Sequence, residues 1–277
     1  MKPEVLLRSG EFYGAVLRTR HLDGLTLTET AYPPHCRVPR HAHTNAYFCL
    51  VLAGSYAEQV DGTLEWTCRS ASVTFHPASA PHADRFERTG GRCFNVELSE
   101  AWARRAADAA VPLDTPLHLP LGPTSTLAAR LHREARHPND LSPLVVEGLA
   151  LALVGELGRR RRSTAPRRHP PPWIDRCLDL LQARFDERLS LDEVATTVGV
   201  HPAHLARAFL THQGCTVGEY VRRLRVEHAR RALEDTDASL VEIALATGFA
   251  DQSHLGRTFK ALVGTTPGRY RRAARGR

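Results

Sequence analysis

The C-terminal part of this sequence contains two copies of one pattern, and that repeat limits the possible folds more than any other feature. Residues 190–200 align with residues 239–249 at an offset of 49. Further along, Leu205, Phe209, Gly214, Thr216 and Tyr220 align at an offset of 50 with Leu255, Phe259, Gly264, Thr266 and Tyr270. A repeat of this kind predicts one supersecondary unit that occurs twice. The second copy carries one additional residue.

Each copy predicts two helices separated by a tight turn. Both copies open with a capping box, in which a serine accepts a backbone N–H and a glutamate accepts the N–H of that serine. The two boxes are Ser190 with Glu193 and Ser239 with Glu242. Gly199 and Gly248 stand where each first helix should end, because glycine adopts a left-handed turn at no steric cost. We therefore predict two helix-turn-helix units, whose second helices start near Pro202 and Asp251 and enter the major groove of DNA.

The segment between the two units, residues 216–235, is expected to form one helix. Its apolar residues Val217, Tyr220, Val221 and Leu224 fall on one side. The 20 residues of this segment span about 30 Å as a helix, close to the roughly 34 Å between successive major-groove faces. We expect this helix to hold the two units at the spacing of two adjacent grooves.

The positive charge of the chain is concentrated in the same C-terminal part. The net charge is +7. Residues 1–158 carry 15 basic and 17 acidic side chains, whereas residues 159–277 carry 22 basic and 13 acidic ones. Cationic side chains that neutralise phosphates supply most of the non-specific affinity for nucleic acids. The asymmetry therefore favours a polyanionic partner for the C-terminal part.

The N-terminal part predicts a β domain followed by helices. Short apolar runs such as residues 46–52 alternate with Gly and Pro, and Asp61-Gly62 is a hairpin signal. Beyond residue 98 the chain becomes rich in Ala, Leu, Glu and Arg, until three consecutive prolines mark a linker. We divide the chain into a β domain (1–98), a helical segment (99–162), a linker (163–172) and an all-α domain (173–277).

The sequence predicts a cytoplasmic protein without a membrane partner. Its longest apolar stretch, residues 144–157, is interrupted by Glu and Gly and is shorter than the roughly 18 residues of a membrane span. The first residues lack the apolar region and cleavage site of an export signal. Six scattered cysteines without a C-x-x-C pair predict neither disulfides nor a zinc knuckle.

Residues 172–277, and above all 244–260 and 264–271, resemble the C-terminal domain of the AraC/XylS family of bacterial transcription regulators. The resemblance implies base contacts from Ala203, Ala206, Arg207, Gln252, Ser253 and Arg257, and Thr258 and Lys260 are expected to contact phosphates. His204 and His254 lie beside these positions and are included among the DNA-binding candidates, although a helix residue that touches phosphate or nothing is favoured for each. Arginine can bond bidentately to guanine and glutamine to adenine, which agrees with part of that set. The family usually has Ser or Thr where Ala250 stands. We therefore expect the second recognition helix to lack its side-chain cap.

A second resemblance lies in the β domain. His41, His43 and His82 stand at the histidine positions of the two cupin motifs, which bind a metal inside a small β-barrel. Tyr47 and Ser79 replace the glutamate and glycine of those motifs. The resemblance implies an effector pocket at His41, His43, Tyr47 and His82, with His41, His43 and His82 as metal ligands. Three imidazoles can bind Zn, Fe or Ni, but the missing carboxylate favours histidines that line a pocket with no cofactor.

The helix expected at residues 141–161 has an apolar surface that is too broad to be left in water. Its apolar residues are Leu144, Val145, Gly148, Leu149, Leu151 and Ala152. A seam between two copies of the chain and packing on the β domain of the same chain explain this surface equally well.

These features predict a two-domain transcription regulator that binds specific DNA sequences and has no catalytic residues. The expected fold is a cupin-like β-barrel with following helices, then an all-α domain of two helix-turn-helix units joined by a long helix. The expected partners are double-stranded promoter DNA, a small effector, a second copy of the chain and RNA polymerase. One alternative is a metal-dependent cupin enzyme fused to a DNA-binding domain. Another is an architectural DNA-binding protein with little sequence preference.

Overall fold

Two units make up the chain, Met1–Ala165 and Pro166–Arg277. The computed structural model describes residues 5–60, 64–119, 121–162 and 171–275. The Asp61-Gly62 turn and most of the predicted linker lie outside these residues. Within the described ranges, no helix combines the length with the apolarity that a membrane span requires.

The described residues of the first unit form one sheet of nine strands and three helices. The strands are β1 (Val5–Leu7), β2 (Ala15–Leu22), β3 (Leu25–Tyr32), β4 (Arg37–His43), β5 (Ala46–Val60), β6 (Leu64–Arg69), β7 (Val73–His76), β8 (His82–Leu98) and β9 (Leu117–Leu119). The helices are α1 (Glu100–Asp108), α2 (Pro123–Arg136) and α3 (Ser142–Arg162). The strand β1 runs parallel to β4, and the other described pairs are antiparallel.

Two long strands, β5 and β8, form the centre of the sheet and give it its curl. They pair with each other, and each changes its other neighbour halfway: β8 passes from β4 to β3, and β5 passes from β7 to β6. The pairing shifts near Gly54, whose φ is +77°. A Cβ at this position would lie 2.0 Å from the carbonyl oxygen of Gly90. Because only glycine accommodates both conditions, the bend depends on it.

Alternate residues of β5 face two different cores. Phe48 and Leu50 belong to a core that includes residues of the three helices. Tyr47 and Cys49 belong to a second core, within the curl of the sheet. This period of two is that of a β-strand, so the strand expected at residues 46–52 is confirmed.

The helix α3 is only partly covered by its own unit. Leu149 and Leu153 are buried in the same core as Phe75 of the sheet. Leu144 and Leu151, which lie on the other side of the helix, are 70% and 42% exposed. Packing within the chain therefore accounts for one side of the apolar surface expected at residues 141–161 and leaves the other side open.

The described part of the second unit is helical, which completes the expected fold class. Its helices are α4 (Pro172–Ala183), α5 (Leu191–Val198), α6 (Pro202–Gln213), α7 (Val217–Asp235), α8 (Leu240–Ala246), α9 (Gln252–Val263) and α10 (Pro267–Arg275). The pairs α5–α6 and α8–α9 are the two helix-turn-helix units. The single helix expected between them at residues 216–235 is confirmed as α7, with Thr216 as its N-cap.

The repeat in the sequence is also a repeat of contacts. Tyr220 of α7 packs edge-on against Phe209 of α6, with ring centroids 5.5 Å apart. Tyr270 of α10 packs in the same way against Phe259 of α9, at 5.3 Å. Each aligned aromatic pair thus fastens a recognition helix to the helix that follows it.

The additional residue of the second copy lies in the turn before α9. One residue separates the turn glycine Gly199 from His201, the N-cap of α6. Two residues separate Gly248 from Asp251, the N-cap of α9. The change of offset from 49 to 50 is therefore absorbed by a longer turn, and both recognition helices keep 12 residues.

Candidate functional site

The histidines of the first unit are brought together by the register of two neighbouring strands. His41 of β4 lies directly opposite His82 of β8. His43 lies on the same side of β4 as His41, because side chains alternate along a strand. All three residues are at most 3% exposed. One ring nitrogen from each lies within 4.8 Å of the others, so the three histidines singled out in the sequence form one cluster.

Tyr47 joins this cluster together with a fourth histidine, His76. The two residues are paired in the register of β5 and β7, and their rings stack with centroids 4.4 Å apart. The Tyr47 hydroxyl lies 3.0 Å from Nε2 of His82, and the ring centroid of His76 lies 4.5 Å from that of His82. Sequence reasoning did not select His76. Its only signal is a position directly before Pro77, and the pairing with Tyr47 cannot be read from that.

Backbone carbonyls fix the tautomers of two of these histidines. Nδ1 of His41 donates to the carbonyl oxygen of Pro39 at 2.9 Å, and Nδ1 of His82 donates to that of Ala80 at 3.2 Å. A carbonyl oxygen only accepts hydrogen bonds, so the proton of each neutral ring is on Nδ1 and the lone pair is on Nε2. The Tyr47 hydroxyl therefore donates to Nε2 of His82.

Burial keeps these imidazoles neutral. Desolvation, and then the neighbouring rings of His82 and His41, lowers the pKa of His43 to about 2. Desolvation likewise lowers the pKa of His82 to about 3 and lowers that of His41. Neutral imidazole is the form that binds a metal ion.

His43 is buried without the hydrogen bonds that its ring can make. Among the described residues, neither of its ring nitrogens has a partner, although the residue is 1% exposed. Buried polar groups are nearly always hydrogen-bonded, since an unpaired one costs free energy. The ring of His43 is therefore a buried group whose lone pair is available to a ligand.

The side chains around the cluster leave little space. The cavity in this second core has a volume of about 20 Å³, and its lining includes the four histidines, Asp84 and Asn95. About 10–15 Å³ of such space holds one water-sized atom, whereas pockets for organic ligands measure roughly 300–1,000 Å³. The cavity has the size of a single atom or ion.

In the second unit, the residues that the resemblance assigned to DNA lie on the two recognition helices. The exposed ones are Ala203, His204, Arg207, Gln252, Ser253, Arg257 and Lys260, and the half-buried ones are Ala206, His254 and Thr258. Each helix is held from its other side by a leucine and a phenylalanine: Leu205 and Phe209 in α6, Leu255 and Phe259 in α9. Arg207 and Arg257 are thereby presented at equivalent positions of the two helices.

Two histidines of this set also contact aromatic rings of their own unit. The ring centroid of His204 lies 5.5 Å from that of Trp173. His254 meets Phe249 edge-on at 5.2 Å. Packing therefore accounts for part of the surface of both side chains.

The recognition helix α9 has a side-chain cap, contrary to what the alanine at position 250 led us to expect. Asp251 is the N-cap, and its Oδ1 accepts the backbone N–H of His254 at 2.7 Å. The expectation was wrong because the longer turn moves the cap from Ala250 to the next residue. Aspartate is among the preferred N-cap residues, so the start of α9 is stabilised.

Comparison with known proteins places the second unit in a family. A helix-turn-helix domain family matches residues 194–273, which run from α5 into α10. The probable transcription factor PqrA of Proteus vulgaris is 39% identical over 90 residues, which are 32% of this chain and 74% of PqrA. The chain belongs to the AraC family of transcriptional regulators.

Two further AraC-family comparisons differ in their extent. The HTH-type transcriptional regulator GlxA of Rhizobium meliloti is 29% identical over 227 residues, which are 81% of this chain and 62% of GlxA. The chain thus spans less than two thirds of GlxA. A solved structure of a transcriptional regulator with an AraC-type DNA-binding domain, from Chromobacterium violaceum, is 34% identical. The aligned region covers 37% of this chain and 93% of the Chromobacterium violaceum chain, with a TM-score of 0.36. This AraC-family chain is a DNA-binding transcriptional regulator.

Proposed function

We propose that this AraC-family chain controls transcription by reading two adjacent major grooves of promoter DNA with α6 and α9, under the control of an effector bound in the first unit. The observation that carries the proposal is the exposure of Arg207 and Arg257 at equivalent positions of two recognition helices. An arginine can bond bidentately to O6 and N7 of guanine. Each helix then recognises at least one base pair of its own groove.

The other exposed residues on these helices are assigned by their chemistry. Gln252 fits N6 and N7 of adenine, whereas Ala203 and Ala206 offer a methyl contact to thymine. Thr258 and Lys260 fit phosphate oxygens, which position the protein without specifying a sequence. We therefore assign more of the sequence preference to α9 than to α6.

The helix α7 sets the distance between the two recognition helices. It contains 19 residues and is thus about 28 Å long, comparable with the roughly 34 Å of one turn of DNA. The two half-sites should accordingly lie about 10–10.5 base pairs apart. A partner of this kind places the protein with the DNA, in the bacterial cytoplasm.

We assign a regulatory and not an enzymatic role to the histidine cluster. A cavity of about 20 Å³ has no room for an organic substrate beside the histidines. An effector bound there acts by favouring one of two arrangements of the regulator over the other.

We also propose that the chain forms a homodimer through the open side of α3. Leu144 and Leu151 lie on this side, and Leu141 directly before the helix is 68% exposed. Sedimentation velocity over a range of protein concentrations tests the pairing. We expect Leu144→Glu to shift the chain towards monomer, and the same sedimentation coefficient at every concentration in the unaltered chain would contradict the proposal.

A selection from random-sequence DNA tests the proposed DNA recognition. The unaltered chain should select a motif with one guanine-containing half-site for each recognition helix. Arg257→Ala should lose the preference at one base pair of one half-site and weaken binding by about 1–3 kcal/mol. Lys260→Ala is the matched control on the same helix, and it should weaken binding to all sequences without changing the motif. A selection that yields no motif would favour an architectural DNA-binding protein.

A further inference from the structure

We infer that a groove of the second unit, bordered by both recognition helices, holds the sugar-phosphate backbone of DNA that lies between the two major grooves, with its phosphates against Arg188 and Arg222. This placement rests on the proposed function for one premise, that α6 and α9 enter adjacent major grooves. The groove itself is formed by described residues of the second unit.

The position of the groove points to DNA as its occupant. Ala206 of α6 and His254 of α9 both line it, together with residues from the first half of α7. Two recognition helices that lie one helical turn of DNA apart leave the intervening minor groove, with the backbone at its edges, between them. A groove bordered by both helices therefore faces this backbone when the DNA is bound.

Three arginines give the groove a positive charge. Arg188, Arg222 and Arg225 line it, and its described lining contains no acidic side chain. A cleft lined by charges of one sign attracts ions of the opposite sign. Arg225 directs its donors at backbone carbonyls, whereas Arg188 and Arg222 are exposed. These two guanidiniums are therefore open to phosphate oxygens, and Arg225 adds its charge from behind them.

The rest of the lining suits the sugar part of a DNA strand. The apolar side chains in the groove are Leu189, Leu191, Val217 and Val221. The groove has a volume of about 620 Å³, within the roughly 300–1,000 Å³ of sites that enclose organic ligands. A DNA strand alternates apolar deoxyribose carbons with charged phosphates. It therefore matches both the apolar and the cationic parts of the lining.

Backbone contacts of this kind position a protein on DNA but carry no sequence information. Arg188 and Arg222 should therefore raise the affinity for all DNA sequences alike. The sequence preference stays with the residues of α6 and α9 that reach base edges.

The salt dependence of DNA binding by the full-length chain tests this assignment. Each phosphate contact contributes about 0.9 to the slope of log affinity against log salt concentration. Arg188→Met and Arg222→Met should each lower that slope by about 0.9. Each variant should also bind every sequence more weakly at 50 mM salt, and this difference should shrink by about threefold between 50 and 200 mM salt.

Arg130→Met is the matched control for the loss of charge. Arg130 is exposed on α2 of the first unit, so its removal takes the same charge from outside the groove. This variant should keep the slope of the unaltered chain. Urea unfolding checks the fold of the groove variants, whose midpoints should be unchanged because both arginines are exposed.

Uncharged methylphosphonate linkages locate the contact on the DNA. One duplex carries them between the two half-sites and a second carries them outside both half-sites. The unaltered chain should bind the first duplex more weakly than unmodified DNA and the second equally well. The Arg188→Met/Arg222→Met double variant should bind the first duplex as well as it binds unmodified DNA. An equal loss of affinity in both proteins overturns the inference, because the arginines then do not contact these phosphates.

The DNA selection separates this inference from the proposed function. A motif together with an unchanged salt slope in both groove variants overturns the groove contact and leaves the proposed regulator intact. A lower slope on random DNA without any motif supports the groove contact and contradicts sequence-specific regulation. A motif together with a lower slope supports both.

Discussion

Arg225 of α7 donates from Nη1 to the carbonyl oxygen of Gly248, 2.6 Å away, in the turn of the second helix-turn-helix. The same guanidinium donates from Nε to the carbonyl of Phe185 and from Nη2 to that of Glu187, both at 2.7 Å. Phe185 and Glu187 lie between α4 and α5, next to the first helix-turn-helix. One side chain on the connecting helix therefore joins the turn of the second motif to the segment that leads into the first.

Replacement of Arg225 by methionine should loosen the relation between the two recognition helices. Three carbonyl oxygens lose a charged donor, and hydrogen bonds to charged groups contribute about 1.5–3 kcal/mol each. Arg225 is only half-buried, so water can replace part of these bonds, and contributions that share one side chain do not add. We therefore expect Arg225→Met to lower the free energy of unfolding, measured with urea, by about 2–4 kcal/mol, less than the sum of three separate bonds. Arg222→Met, an exposed position on the same helix, should change it by less than about 0.5 kcal/mol. Equal effects of the two substitutions would contradict this role.

The two turn glycines should differ in their tolerance of a methyl group. Gly199 and Gly248 both have a φ of +76°, which costs an alanine about 1–2 kcal/mol. At Gly248 a Cβ would also lie 2.5 Å from the carbonyl oxygen of Asp186, whereas at Gly199 no described atom lies within 4 Å. We expect Gly248→Ala to destabilise the chain by at least about 1–2 kcal/mol more than Gly199→Ala. Similar midpoints in urea would show that the segment at Asp186 moves aside.

Glu227 should make stability depend on pH in the acid range. Burial by itself raises the pKa of this carboxyl, but the charges of Arg230 and Arg231 outweigh burial and lower the pKa to about 2. The pKa of an unfolded glutamate is about 4.3. The ionised group therefore contributes about 2–3 kcal/mol above pH 5, and the contribution is lost as the pH falls towards 2.

Glu227→Gln tests this dependence. The difference in unfolding free energy between the unaltered chain and the variant should be largest at pH 7 and should shrink between pH 4.5 and pH 3. Oε1 of Glu227 lies 2.7 Å from Nη2 of Arg230 and 3.3 Å from Nε of Arg231. A difference that stays constant with pH would mean that these contacts do not shift the titration of Glu227.

The second unit was predictable from sequence because its determinants are local. The capping box at Ser190 and Glu193 forms as expected, with hydrogen bonds of 3.2 and 2.7 Å. The same holds for the box at Ser239 and Glu242. Caps, glycine turns and helical spacing each involve residues a few positions apart. A short stretch of the sequence is therefore enough to predict each of them.

The first unit was predictable only in outline because its site depends on contacts between distant residues. His132 of α2 bonds to Glu29 of β3 at 3.0 Å, although the two residues are 103 positions apart. His76 joins the histidine cluster through the register of β5 with β7. The side of α3 that packs on the sheet is likewise set by tertiary contacts, since this helix is apolar around most of its surface. No local pattern encodes such pairings.

Two substitutions test whether Asp251, and not the residue at position 250, is the N-cap of α9. Asp251→Ala removes the acceptor for the N–H of His254 and should cost about 0.5–2 kcal/mol. Ala250→Ser restores the residue type usual in the family, but we expect no gain in stability because the cap position is already filled by Asp251. Thermal unfolding of both variants checks this. Stabilisation by Ala250→Ser together with no effect of Asp251→Ala would contradict the assignment.

Tyr47→Phe should destabilise the first unit. The Tyr47 hydroxyl donates to Nε2 of His82 at 3.0 Å, and a hydrogen bond of this kind contributes about 1 kcal/mol. Its loss leaves a buried ring nitrogen of His82 unpaired, which costs about 1–3 kcal/mol. The variant should therefore unfold at a lower temperature than the unaltered chain.

Tyr56→Phe is the matched control for this prediction. Tyr56 is buried in the same core, but its hydroxyl lies 3.6 Å from Sγ of Cys49 and not against a histidine. A thiol is a weak hydrogen-bonding group, so the control should lower the unfolding temperature less than Tyr47→Phe does. Equal shifts in the two variants would mean that the hydrogen bond to His82 contributes no more to stability than the contact with the thiol.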